Sequence, residues 1–217
     1  MAALDLPSQW PGSTHGVSVL GPTAERGAGD LAAVLPWASL SKVAVAFVTL
    51  RLVADGVVTL DDAAGPPGST LRHLLSHASG LGPDAPEVLA SPGTRRIYSN
   101  AGYEAAALHL ERWSGSSIEE LLAEELFEPL GMASSSLRGS AAWGVEGSTE
   151  DLARFVAELR APSLLEEPLM REMTTVQFEG LAGVVPGVGR FDPCDWGVGL
   201  EIKGTKAPHW TGTKMGP

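Results

Sequence analysis

Two pairs of residues carry groups suited to carbonyl chemistry. In "LPWASLSKVAVAFVTL", residues 35–50, Ser39 and Lys42 stand three apart at the start of a long apolar run. A helix beginning near Ser39 puts both side chains on one face, with Cβ atoms roughly 5–6 Å apart. The first turn of such a helix leaves backbone N–H groups unpaired and carries partial positive charge, which favours a developing alkoxide. A lysine kept partly desolvated there has a lowered pKa and can take the proton of the serine. The plainer alternative is an N-capping serine followed by a lysine that snorkels out along its own stem.

The second pair lies in "SPGTRRIYSNAGYE", where Tyr98 and Asn100 flank Ser99 just before a helical run. Two residues apart on an extended segment, they point to one side. The phenol can relay a proton to a leaving group, and the amide can bond a substrate carbonyl or the lysine. The plainer alternative makes Tyr98 a packed anchor and Asn100 an ordinary N-cap. His73 and His77 are four apart on a short helix, a spacing that can hold a metal, but no Glu stands between them in an H-E-x-x-H arrangement. They read as groups that satisfy neighbouring backbone, and neither a metal nor a cofactor is expected. His109, between Leu108 and Leu110, reads as a packing or surface residue.

The elements that must position these groups follow from pattern and punctuation. Val17 to Leu20 reads as a strand, with a turn and a second strand after it. The stretch from Trp37 to Ala54 reads as a helix. Ser69-Thr70 can cap a short helix that carries Leu71, Leu74 and Leu75. "SNAGYEAAALHLERWSG" and "SSIEELLAEELFEPLGM" are amphipathic helices closed by Gly or Pro-Leu-Gly, and "STEDLARFVAEL" opens with a good helix start. "PCDWGVGLEI" and "KAPHWTG" look strand-like. The expected fold is therefore α+β, a single domain over 1–217. An antiparallel sheet is built from both chain ends (lobe 1–36 and 141–217), with flanking helices and an inserted, mostly helical lobe over 37–140.

Bulk properties narrow the function. Of 217 residues, 44% are hydrophobic and 19% charged, enough apolar material for a sizeable core. A formal net charge of −11 with no basic patch excludes nucleic acid as a partner. The single cysteine, Cys194, cannot form an internal disulfide and marks no oxidising compartment. The N-terminus lacks a basic start and a long apolar stretch, and no run of ~18 apolar residues occurs, so a soluble cytoplasmic protein with no membrane contact is expected.

"PWASLSKVAVA", "TLRHLLSHASGLG" and "RRIYSNAGYE", with "LFEPLGM" and "STEDLARF", resemble the serine β-lactamase and DD-peptidase superfamily. The likeness is to its class C-like branch of serine hydrolases and esterases, and S-x-x-K is one of the superfamily's signatures. The resemblance implies a β-lactamase/transpeptidase-like fold with Ser39 as acylated nucleophile and Lys42 as its proton acceptor. It further implies Tyr98 as second acid/base, Asn100 as a substrate or lysine contact, and a small-molecule ester, amide or lactam as substrate. The branch also has a third motif on the strand lining the site, which supplies one oxyanion-hole N–H while the nucleophile's own N–H supplies the other. The candidates here, "HWTG" at His209 to Gly212 and "KMG" at Lys214 to Gly216, match poorly. The branch usually runs on through further strands and a C-terminal helix, so the chain is expected to lack them. That would leave a sheet edge open to self-association. A non-catalytic relative acting as a scaffold or ligand sensor is the competing expectation.

Overall fold

Helix α1 (Ser41–Ala54) is the axis of the molecule, because its sequence is apolar almost all the way round. Val45, Phe47, Val48 and Leu50 are wholly buried within it. It ends where Gly56 takes up a left-handed conformation (φ +71°) and its N–H returns to the carbonyl of Val53. The structure is a computed structural model that describes residues 4, 9–12, 14–21, 25–204 and 206.

Further helices pack around α1. α2 (Leu71–Leu75) starts with a capping box in which His73 takes the place of the usual Glu: its Nδ1 accepts from the Thr70 N–H at 3.2 Å and lies 2.8 Å from the Thr70 hydroxyl. α3 (Asn100–Ser114) is capped by Ser99, whose hydroxyl accepts from the N–H of Gly102 at 2.8 Å, and it ends at Gly115 in the left-handed region. α4 (Ile118–Leu122) has a Ser117–Glu120 capping box and runs into a π-helical turn, Ala123–Phe127. α5 (Thr149–Arg160) is capped by Ser148 with Glu150 and Asp151 in its first turn, as its sequence predicts. α6 (Glu167–Thr174), absent from the sequence reading, has Pro168 in its first turn instead of a hydroxyl cap. Among the described residues no helix is long and apolar enough to cross a membrane.

Among the described residues the strands form three small sheets. β1 (Gly16–Leu20) and β2 (Glu25–Gly29) make an antiparallel hairpin lying on α5. β3 (Leu35–Pro36), β5 (Ser136–Leu137) and β6 (Val145–Gly147) form a second antiparallel sheet with β6 central. β4 (Arg96–Ile97) runs parallel to β7 (Gly183–Val185), which pairs antiparallel with β8 (Gly189–Phe191). The mixed helical and largely antiparallel arrangement is the α+β class expected. Among the described residues the β1–β2 hairpin pairs with no C-terminal strand. "PCDWGVGLEI" supplies a single bridge, Trp196 to Glu201, rather than a strand. Most of "KAPHWTG" and both third-motif candidates fall in 207–217, outside the described residues.

Two contacts bring the loop after α6 onto the helices. Gly197 and Gly199 pass so close that a Cβ would meet the Met173 carbonyl oxygen at 1.9 Å and the Ala46 methyl at 2.3 Å. The Gly199 N–H donates to the Leu75 carbonyl at 3.1 Å. Residues 196–201 are thereby held beside the start of α1.

Candidate active site

Ser39 sits in a 3-10 turn, Ala38–Leu40, that leads into α1. Ser41 locks that turn to β6: its hydroxyl donates to the Ala38 carbonyl at 2.7 Å and accepts from the Val145 N–H at 2.9 Å. The Trp37 N–H adds a bond to the Val145 carbonyl at 2.8 Å. Leu40, not Ser39, occupies the cap position of α1, and no side-chain cap bond forms there. Ser39 is exposed and its hydroxyl is not spent on capping.

Lys42, one turn on, is only 2% exposed and does not snorkel. Its Nζ donates to the Ala142 carbonyl at 2.8 Å and lies 3.4 Å from Ser39 Oγ. It also stands over the Tyr98 ring, 4.8 Å from the centroid. Among the described residues no carboxylate forms an ion pair with it. Burial lowers its pKa to about 8, against the opposing pull of the Glu104 and Asp84 carboxylates.

Tyr98 follows β4 with its ring beneath the Lys42 amine; burial pushes its phenol up, the neighbouring Ser39 hydroxyl pulls it down, and the charge of Glu201 adds to the rise. Its ring packs on His77 (centroids 4.5 Å apart) and Trp196 (5.9 Å). His77 is fully buried with a left-handed backbone (φ +59°), and its Nδ1 accepts the Ser99 N–H at 3.1 Å. Burial, with the Lys42 and Arg96 charges, holds its pKa well below 6.5, so it is neutral. His73 and His77 thus both serve neighbouring backbone N–H groups, as expected of them, and His77 also supports Tyr98. His109 faces Asp62 at 3.4 Å.

Asn100 is placed differently. Its amide donates to the Asp84 carboxylate at 2.7 Å and its backbone N–H to the Pro83 carbonyl at 2.6 Å. The structure brings Ser39, Lys42 and Tyr98 together around a cavity of about 590 Å³, and Asn100 is not among the lining residues. Trp37, Leu40, Val43, Val185, Trp196 and Leu200 make most of its wall apolar. Glu201 also lines it and is paired with buried Lys206 at 2.9 Å. Ser41, His77 and Ala142 escaped the sequence reading as parts of the site. Ser41 and His77 lie inside the quoted motifs, so their positions carried a signal, whereas Ala142 contributes a carbonyl, which no side-chain pattern encodes.

The fold is that of the β-lactamase and penicillin-binding-protein superfamily, a class of serine-type acyl-transfer hydrolases. A family model described as Beta-lactamase matches residues 30–216, and the chain belongs to the β-lactamase family. Among solved structures, a β-lactamase from Mycobacterium bovis is 44% identical with a TM-score of 0.93, over 98% of this chain and 79% of that one. A penicillin-binding protein from Bacillus halodurans (19% identity, TM-score 0.72, 86% of this chain and 79% of that one) shares the fold. So does a β-lactamase/D-alanine carboxypeptidase from Yersinia pestis (20% identity, TM-score 0.66, 81% and 71%). No curated protein matches the chain in sequence.

Proposed function

We propose that the protein hydrolyses a small ester, amide or β-lactam through an acyl-enzyme on Ser39. The observation that carries this reading is the buried Lys42 amine, 3.4 Å from Ser39 Oγ, with its pKa brought to about 8. Close to neutrality an appreciable fraction of that amine is unprotonated. It takes the Ser39 proton as Oγ attacks the carbonyl carbon, and the positive end of the first turn of α1 favours the charge that develops. When the tetrahedral intermediate collapses, the bond to the leaving oxygen or nitrogen breaks. Tyr98, which lines the same cavity and lies against Lys42, gives that atom its proton and is reprotonated from Lys42. Water then attacks the acyl carbon, giving up a proton to the same pair, and Ser39 leaves with its proton restored. The apolar wall suits an uncharged acyl group. Asn100 is bonded to Asp84, whose carboxylate raises the Lys42 pKa.

The test is intact-mass measurement after incubation with a fluorophosphonate and, separately, a chromogenic lactam. Mass addition located on Ser39 supports the reading. A folded protein that gains no mass from either reagent, and turns over no ester, would be a scaffold or ligand sensor.

A further inference from the structure

The Ala142 carbonyl is the acceptor on which the Lys42 amine rests, so whatever holds residue 142 also sets the base. Residues 140–144 form a tight turn, in which the Gly144 N–H donates to the Ser140 carbonyl at 2.7 Å. A Cβ at Gly144 would lie 2.6 Å from the Arg138 carbonyl oxygen and 2.7 Å from that of Ser140. The turn is anchored from α3. One oxygen of Glu104 accepts from the Ser140 hydroxyl and from the Ala142 N–H at 3.4 Å, and the Ser140 hydroxyl accepts from the same N–H at 3.1 Å. Glu104 lies one helical turn beyond Asn100, on the same face of α3.

We propose that Glu104 is a positioning residue for the Ser39–Lys42 pair: its carboxylate fixes the turn that presents the Ala142 carbonyl to Lys42 and places a negative charge towards the amine. The inference rests on the reading of Lys42 as the base. Hydrogen bonding alone does not require a charge here. Both partners of Glu104 are donors, and the amide oxygen of a glutamine would accept from them equally well. The extra charge is felt by Lys42, on which Glu104 is the larger of two opposing carboxylate influences. The other is Asp84, which is exposed and already bonded to Asn100. Among the described residues the remaining titratable groups facing the amine are the phenols of Tyr98 and Tyr103, the latter donating to the Leu75 carbonyl, and the neutral His77, with Glu201 beyond Tyr98 and paired to Lys206.

The decisive measurement is the titration of Lys42 by NMR with 13Cε-labelled lysine, the resonance being assigned by its loss in Lys42→Arg. In Glu104→Gln, which keeps the acceptor and removes the charge, Lys42 should titrate roughly half a unit to one unit lower. Asp84→Asn should shift it less, because water screens an exposed carboxylate. Glu104→Ala should in addition slow fluorophosphonate addition to Ser39 about tenfold at pH 8, as the carbonyl loses its fixed position. A Lys42 titration that Glu104→Gln leaves unmoved, or moves no further than Asp84→Asn does, overturns the proposal, whatever Glu104→Ala does to folding. Should the wild-type protein never add the fluorophosphonate, the nucleophile assignment fails, while the lysine titration still decides the role of Glu104.

Discussion

Two of the cations buried among the described residues, Arg96 and Lys42, are held in opposite ways. Arg96, on β4, donates to four carbonyls: Ser76 at 2.5 Å, Gln177 and Cys194 each at 2.8 Å, and Phe178 at 3.3 Å. Lys42 donates to one carbonyl, and its other neighbours are the Ser39 hydroxyl and the faces of two tyrosines. Burial lowers both, Arg96 to about 10 and Lys42 to about 8. The guanidinium stays charged at any working pH, and its fork ties β4 to the loops before and after it. The amine sits where working pH can take its proton. The number of fixed acceptors around a buried cation thus separates a strut from a base.

That contrast breaks most sharply if the two sites fail in the same way. Ser39→Ala and Lys42→Arg should each cut acylation of the protein at least about 10⁴-fold, since nucleophile and base act as one unit. Melting should hardly change in Ser39→Ala, because this hydroxyl caps no helix. Arginine keeps the charge but cannot surrender a proton, so near-normal labelling of Lys42→Arg in a fluorophosphonate mass assay would reduce Lys42 to a second strut. Next in size is Tyr98→Phe. Removing the hydroxyl should lower turnover by roughly 10²–10⁴ while the ring keeps its packing on His77 and Trp196. A phenylalanine variant that melts early yet reacts normally makes Tyr98 an anchor only.

Arg96→Met should show the reverse pattern. It leaves the carbonyls of Ser76, Gln177 and Cys194 without their donor, and loss should be about 3–5 kcal/mol, the range for breaking a buried, fully bonded charge. Denaturant unfolding followed by circular dichroism reads this directly. A variant with unchanged midpoint but slow acylation would place Arg96 in the chemistry instead.

Which parts of this were legible in sequence depended on what encodes each one. Ser39 and Lys42 stand at a short spacing that puts them on one face, whereas the placing of Tyr98 beside them followed from the family resemblance and not from any spacing. The starts of α2 and α5 were readable because a hydroxyl cap is a local signal. Asn100 was not, since Ser99 and Asn100 are both capping types and only the surrounding carbonyls and Asp84 decide between them. α6, with its Glu cap position, gave no hydroxyl to find. The short strands β3, β4 and β5 are two residues each, below the length at which alternation can be seen. The acceptor of Lys42 and its link to Glu104 are tertiary, joining residues 100 and 38 positions apart.

The smallest expected effect separates the two cations by sign. Lys42 releases its proton near pH 8 when folded and near 10.5 when unfolded, so below about 8 the folded protein bears the full cost of burying a charged amine. Lys42→Met removes that cost and keeps much of the volume, so at pH 7 it should be more stable than the wild type by roughly 1–3 kcal/mol, a range reduced for partial screening. Between pH 8 and 10.5 the unfolded chain binds more protons at this site than the folded one, so wild-type stability rises with pH there and the advantage of methionine should shrink. Arg96→Met should be less stable than wild type across the same range, because its guanidinium is charged in both states up to about pH 10 and its carbonyls need it. Thermal melts of both variants at pH 7 and pH 10 test this together. A destabilised Lys42→Met at pH 7 would mean that the single bond to Ala142 outweighs desolvation, and that Lys42 is held as tightly as Arg96.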